Sequence, residues 1–295
     1  MVKDIHCPIC KGNSIYLKWA GGALPTKKRE AVYACTTLVR NRPSVFSCKD
    51  CKHQFLRIDK IKDTLVSEYE NLKDEEYEAL AKVKRKTFER AFARLDPYLS
   101  RGSTVLEVGS YLGIFLETLQ LNGITGVGVE PSIWAIEKCK LKNLDVIQGA
   151  FEDKAEAIDT LFEAVVSWDV LEHVLYPGEF MALLASKVLP GGVLVISTLD
   201  RSTIVPRITR SRWPWIIPMH LHYFDKETVI ELARVAGCKL LKHGSHTHYA
   251  SLEYVMLKFE TVAKIMKFLR VTKLFRKIVL PFSFGDVRYY VFIKN

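Results

Sequence analysis

The run Thr104-Val105-Leu106-Glu107-Val108-Gly109-Ser110-Tyr111-Leu112-Gly113-Ile114-Phe115 constrains this chain more than any other stretch. Its β-branched apolar half predicts a buried strand, which breaks at Gly109 and resumes with helical spacing after Gly113. Glycines at such a turn let backbone approach a ligand with no Cβ in the way, and the helix that follows aims its first N–H groups at it. Thr125-Gly126-Val127-Gly128-Val129-Glu130 predicts the next strand. Glu130 at its carboxyl end is placed to accept both hydroxyls of a ribose. The spacing fits an adenosine group.

Tyr111 stands where a dinucleotide fingerprint would have its second glycine, so a pyrophosphate would be crowded. A cofactor with adenosine and no phosphate escapes that objection, and S-adenosylmethionine is the common one. Downstream, strand and helix keep alternating: a helix from Ser132, a strand Asp145 to Gln148, a strand Ala164 to Trp168, a helix after Pro177-Gly178, and a strand Val193 to Ser197. Alternation of this kind predicts an α/β fold with a doubly wound, mostly parallel, Rossmann-like sheet. Ligands then bind beyond the carboxyl ends of the strands, where Gly109, Glu130 and Gly149-Ala150-Phe151 should converge.

The pattern Glu107-x-Gly109-x-x-x-Gly113 followed by Glu130-Pro131-Ser132 resembles the class I S-adenosylmethionine-dependent methyltransferases. Asp169-Val170-Leu171-Glu172-His173-Val174, then a helix and Leu189-Pro190-Gly191-Gly192, strengthens that resemblance toward the branch with ubiquinone-type and sugar-modifying enzymes. It implies a seven-stranded sheet with Val287 to Ile293 as its antiparallel edge strand. It also implies a cofactor site of Glu107, Gly109, Ser110, Gly113, Glu130, Pro131, Ala150, Phe151, Ser167 and Asp169, with Trp168 beside them and Glu172 and His173 at the mouth. Core packing is an equal reading of Phe151. His220-Leu221-His222-Tyr223-Phe224 resembles the end of the family's lid, and Arg201, Arg207, Arg210 and Arg212 among Trp213-Pro214-Trp215 suit an apolar or anionic substrate, or a membrane interface.

Cys7-x-x-Cys10 and Cys48-x-x-Cys51 are two knuckles of a zinc ribbon, a closed four-thiolate site with a structural role. His6 and His53 flank them and read as surface residues. Lys52 stands where a knuckle commonly continues with glycine. Cys35, Cys139 and Cys238 fall in no ligand spacing and read as small buried side chains. The charged stretch Asp63 to Leu99 predicts a helical cap closed by Pro97, with Tyr69 and Tyr77 in core or solvated roles. The domains expected are a ribbon over 1–60, a cap and linker over 61–101, a cofactor-binding core over 102–200, and a lid, basic helix and closing strands over 201–295.

With 295 residues, 48% of them hydrophobic, and a net charge of +10, the chain suits one core of ordinary size with appendages. No apolar run is long enough to span a bilayer and the first residues lack a signal-peptide stretch, so a cytoplasmic protein is expected. Lys258 to Lys277 reads as a basic amphipathic helix, resting on an anionic membrane or covering the core. His243, His246 and His248 lack a neighbouring carboxylate in sequence and read as exposed late-strand or substrate-contacting residues.

These features give three readings. The first is methyl transfer from S-adenosylmethionine to a small-molecule acceptor (sugar, lipid or natural product; anionic or lipid-linked), with His220 or His222 as base and His173 second. The second, resting on Lys27-Lys28-Arg29 and Lys82 to Lys86, is a ribbon protein that binds or methylates RNA. The third is an inactive cofactor-binding regulator, suggested by Tyr111.

Overall fold

The computed structural model describes residues 5–22, 42–57, 67–253, 275 and 278–295. The Lys27-Lys28-Arg29 triplet, Cys35 and nearly all of the basic stretch 258–277 lie outside them. The ribbon contributes β1 (Ile15–Trp19), β2 (Val45–Cys48) and β3 (Gln54–Phe55). After the cap helices Glu75–Ala79 and Ala81–Leu95 come β4 (Thr104–Val108), β5 (Thr125–Glu130), β6 (Asp145–Gln148), β7 (Phe162–Trp168) and β8 (Val188–Leu199). Helices Ile114–Leu121, Ile133–Lys140 and Pro177–Ser186 alternate with these strands. The chain closes with β9 (His222–Tyr223), helix Lys226–Val235, β10 (Cys238–Ser245), β11 (His248–Ser251), β12 (Val279–Phe282) and β13 (Val287–Lys294).

The main sheet has seven strands in the order β10-β13-β8-β7-β4-β5-β6. β4 to β8 pair in parallel, while β13 runs antiparallel between β8 and β10 at one side of the sheet. Both faces are covered, so the central strands are apolar throughout and do not alternate. Leu106, Val165 and Leu194 pack against Phe180 and Leu184 on one face, and Val105, Val166 and Val195 against Phe92, Phe115 and Leu119 on the other. Neighbouring residues of one strand thus feed opposite cores.

Local chemistry sets the helix ends. The Ser132 hydroxyl accepts Ala135 N–H at 3.2 Å, and Asp225 Oδ1 accepts Thr228 N–H at 3.0 Å, both as N-caps. Gly237, at φ 78°, ends the second of these helices. The cap is interrupted over 71–74, where Asp74, almost fully buried, accepts Tyr77 N–H at 2.9 Å and starts a new helix.

The ribbon is stitched to the lid rather than hung on a linker. Its strands form a second sheet in the order β1-β2-β3-β9, with Gln54 opposite Tyr223 and Phe55 opposite His222. Leu56 N–H adds a bond to Leu221 O at 2.8 Å. His53, expected at the surface, is fully buried at this seam, because the lid strand covers it.

Candidate functional site

The glycine turn is left-handed at Gly109 (φ 80°), Tyr111 (φ 44°) and Gly113 (φ 68°). Both glycines also leave room for packing. A Cβ on Gly109 would sit 2.5 Å from Val170 Cγ2, and one on Gly113 would sit 2.4 Å from Leu144 Cδ1. Tyr111 holds its disfavoured conformation because its N–H reaches Glu130 Oε2 at 2.8 Å. Glu130 Oε1 accepts Ser132 N–H at 2.9 Å across Pro131. The Glu130 carboxylate is therefore fixed by backbone on both sides.

Burial pushes the Glu130 carboxyl up to about 7, against the pull of those two N–H groups. Glu107, buried on the adjacent strand, lies well above the usual carboxylate range through burial and the nearby Glu130 charge. Glu107 Oε2 and Ser110 Oγ are buried with no hydrogen-bond partner among the described residues. Orphaned polar atoms beside a fixed carboxylate fit a polar ligand such as S-adenosylmethionine, with its ribose hydroxyls, ammonium and carboxylate. Ser167 Oγ instead donates to Val108 O at 3.1 Å, tying β7 to β4. Ala150 is the N-cap of a short helix, and Phe151 is a core residue edge-on to Phe180.

A roof covers this end of the sheet. Leu72 from the cap meets Met219 and Leu221 from the lid, with Tyr69, Tyr111, Leu175 and Ile217 around them. Ser132 Oγ donates to Leu72 O at 2.9 Å, which fastens the cap to the ribose-side strand. Tyr69 and Tyr77 belong to the site rather than to a solvated face: Tyr69 Oη is 3.0 Å from His173 Nδ1, and the Tyr77 and Tyr111 rings meet edge to face at 5.0 Å.

Beneath the roof lie two clusters. In the first, Glu172, His173 and His220 bring three ligand-type atoms within 4.8 Å of one another. His173 Nδ1–H donates to Met219 O and His220 Nδ1–H to Trp215 O, each at 2.8 Å. Both Nε2 atoms therefore keep their lone pairs, as in imidazoles that ligate divalent cations or accept a substrate's hydrogen bonds. Burial holds His173 at about 4 and His220 at about 3, so both are neutral, while burial and the Asp169 charge push Glu172 to about 8.

The second cluster joins residues far apart in sequence: Asp169, His246 and His248, also within 4.8 Å. The carboxylate that the histidines lack nearby in the chain is supplied by the end of β7. His222, by contrast, is fully buried at the ribbon seam, with Nε2–H donating to Val174 O at 2.9 Å and Nδ1 3.2 Å from His53 Nε2. Neither nitrogen is left for an acceptor.

The lid's tryptophans hold the lid down. Trp213 and Trp215 donate their indole N–H groups to the same Asp286 oxygen, at 2.7 and 3.1 Å. Both indole N–H groups are thus engaged, and Arg201 reaches Lys52 O and Asp225.

At the ribbon, Cys7 and Cys51 Sγ lie 3.5 Å apart, Cys10 and Cys48 Sγ 3.6 Å, and all four within 4.8 Å. Four sulfurs about 2.3 Å from a tetrahedral ion are about 3.8 Å from one another, so the set is compatible with zinc. Lys11 and Lys52 sit at φ 60° and 63°, the left-handed position after each knuckle's second cysteine. Lys52 therefore keeps the knuckle geometry that glycine usually provides.

The sheet order, the fixed acidic residue at the end of β5 and the glycine turn after β4 define a class I S-adenosylmethionine-dependent methyltransferase. The chain belongs to the methyltransferase domain family, whose model matches residues 78–243. It is 31% identical over 137 residues to the mitochondrial ubiquinone biosynthesis O-methyltransferase of Schizosaccharomyces pombe, covering 42% of this chain and 49% of that one. With the Rhodopseudomonas palustris ubiquinone biosynthesis O-methyltransferase it shares 28% over 173 residues, covering 55% and 64%. The chain thus spans about half to two thirds of these relatives' length.

Among solved structures it resembles a putative methyltransferase in complex with the Haloferax volcanii Trm112 methyltransferase activator (TM-score 0.54, 18% identity, 75% of this chain and 94% of that one). It also resembles a methyltransferase from Archaeoglobus fulgidus (TM-score 0.53, 20% identity, 75% and 100%). No helix among the described residues is long and apolar enough to cross a membrane.

Proposed function

We propose that the chain methylates a hydroxyl group of a small-molecule acceptor. The observation that carries this reading is the roof of Leu72, Met219 and Leu221 over the ends of β4, β5 and β7, which suits a compact acceptor better than a polymer. The relatives named as O-methyltransferases support a hydroxyl as the group modified. Nothing described at the site favours RNA, although Lys82 and Lys86 are exposed on the cap helix.

When bound, S-adenosylmethionine supplies a methyl carbon on a sulfonium, open to in-line displacement. Glu130 accepts the ribose hydroxyls, and the Gly109–Gly113 turn with Ser110 and Glu107 receives the donor groups of the remainder. Pro131, Ala150, Phe151 and Ser167 shape the walls. His173 and His220 accept hydrogen bonds from the acceptor through Nε2, while the closed roof keeps water from the reacting atoms. Zinc on Cys7, Cys10, Cys48 and Cys51 holds the ribbon, and the divisions 1–60, 61–101, 102–200 and 201–295 describe its working parts.

Calorimetry with S-adenosylhomocysteine, alongside NAD, tests the cofactor assignment without an acceptor. Micromolar binding of the product alone is expected. A panel of phenols, sugars and amines with radiolabelled S-adenosylmethionine then tests the acceptor class. Methylation of amines but of no hydroxyl compound overturns the hydroxyl reading, and binding without any turnover favours a regulator.

A further inference from the structure

Among the clustered histidines, His248 is the one within ion-pair reach of the Asp169 carboxylate. Its Nε2 lies 3.4 Å from Asp169 Oδ2. The other carboxylate oxygen accepts the Ser197 hydroxyl at 2.5 Å, and Asp169 N–H is held by Ser197 O at 3.1 Å. Asp169 itself sits at φ 55°, a strained turn at the end of β7. The next residue, Val170, fills the space beside Gly109. The carboxylate is thus locked one residue from the cofactor turn. Asp169 on β7 and Glu130 on β5 flank β4 on opposite sides, so a ligand whose ribose meets Glu130 has its far end on the Asp169 side.

His173 and His220 lack this support. Their Nδ1–H groups go to backbone carbonyls, and Glu172, raised to about 8, is neutral at pH 7. Asp169 favours the charged form of either ring through space, but its carboxylate contact is with His248. Burial pushes the Asp169 carboxyl up, yet with the Ser197 hydroxyl donating to it and Lys84 facing it the group lies below the ordinary carboxylate range.

The second cluster is also a poor ligand set for a cation. Arg94 Nη1 donates to His246 Nδ1 at 3.0 Å, so neutral His246 carries its proton on Nε2 and has no lone pair left. Around His248, then, stand Asp169 from β7, His246 after β10, and Lys84 and Arg94 from the cap helix. Neither His248 nitrogen has a hydrogen-bond partner among the described residues, and Asp169 Oδ2 is its near charged neighbour. Burial keeps the ring at about 4, hence free of a second proton at pH 7.

We propose that His248, oriented by Asp169, is the general base that takes the proton from the acceptor hydroxyl. This rests on the hydroxyl reading above. With Nε2–H toward Asp169, the Nδ1 lone pair is the base. The acceptor's O–H bond breaks as its O–C bond forms, the C–S electron pair stays on sulfur, and the proton on Nδ1 later leaves to water. Asp169 is a positioning residue that faces the transient imidazolium.

The test has two arms on the metal-loaded full chain. Long-range proton–nitrogen spectra of ¹⁵N-histidine protein, with S-adenosylhomocysteine bound, read the His248 tautomer directly. The proton is expected on Nε2 at pH 7.5, moving to Nδ1 in Asp169→Asn and back in Asp169→Glu. A proton on Nδ1 in the parent protein, or a tautomer that ignores Asp169→Asn, overturns the dyad whatever the acceptor. In the kinetic arm, with catechol as probe, His248→Gln should lower kcat by about 10²- to 10⁴-fold with little change in KM and abolish the acidic limb of the pH profile. Turnover within threefold of the parent sinks the base while leaving the hydroxyl reading intact. If the parent methylates amines but no hydroxyl compound, the hydroxyl reading fails instead, and the base assignment falls with it.

Discussion

His53 Nε2 and His222 Nδ1 meet at 3.2 Å with neither ring exposed, where the cysteine ribbon joins the lid. The proton positions follow from the partners. His222 Nε2–H donates to Val174 O, so its Nδ1 must accept, and His53 must donate from Nε2. That leaves His53 Nδ1 as a buried acceptor with no partner among the described residues. His222→Ala should therefore cost about 1–3 kcal/mol by stranding the His53 donor. Urea denaturation of the metal-loaded protein measures it, and a change below a few tenths of a kcal/mol would show that the seam contributes nothing.

Stability should pass through a maximum near pH 6.5. The folded pKa values of His53, His173, His220, His222, His246 and His248 all lie below the ordinary 6.5 through burial, His222 at about 4, and these six outnumber the raised carboxyls. Their contribution is intact above 6.5 and lost as pH falls toward 4, since only the unfolded chain takes up those protons. Glu130 and Glu172, raised to about 7 and 8, act in the opposite sense: the folded chain protonates first, so stability grows as pH falls from about 8. Denaturation midpoints from pH 4.5 to 8.5 check this. A midpoint that climbs steadily to pH 8.5 contradicts the buried-carboxyl part of the argument.

Cofactor binding should carry the Glu130 titration. Ribose hydroxyls donate to the ionised carboxylate, so S-adenosylhomocysteine affinity should weaken as pH drops below about 7. Glu130→Ala should cost about 1.5–3 kcal/mol of affinity and flatten the pH dependence. Calorimetry at pH 6 and 8 on both proteins decides it. Equal affinities would remove Glu130 from the ribose.

Breaking the ribbon should be felt at the lid. Cys10→Ser is expected to lower bound zinc from about one ion per chain, as one of four ligands is lost. Because β3 pairs with β9, amide exchange should rise at 221–223 as well as in the ribbon. Exchange confined to the ribbon would mean that the lid strand is held without it.

Trp213→Phe removes the 2.7 Å indole bond to Asp286 and leaves that buried carboxyl with Trp215 at 3.1 Å. A loss of about 1–3 kcal/mol in folding stability is expected, with S-adenosylhomocysteine affinity unchanged. A matching loss of cofactor affinity would show that the lid reaches the cofactor after all.

The parallel sheet was readable because its central strands are apolar on both faces and end in turn residues, and even the more exposed Asp145–Gln148 appears where its alternation with helices predicts a strand. Long-range partners were not readable. Nothing local to His246-Thr247-His248 points to Asp169, and the tryptophans of the lid look like ligand contacts until Asp286 is seen beneath them. Gly109 and Gly113 carry a related lesson. Their positive φ follows from the turn, but what fills the space above each, Val170 and Leu144, is decided by other elements of the fold.

The ribbon–lid sheet also fixes an order of assembly. His53 and His222 stand 169 residues apart in the chain. At about 5–20 residues per second, synthesis takes roughly ten to thirty seconds to pass from one to the other. Throughout that interval β3 is an open sheet edge, exposed to wrong pairing while its own partner does not yet exist. The ribbon emerges first, yet its last strand pairing waits on the lid.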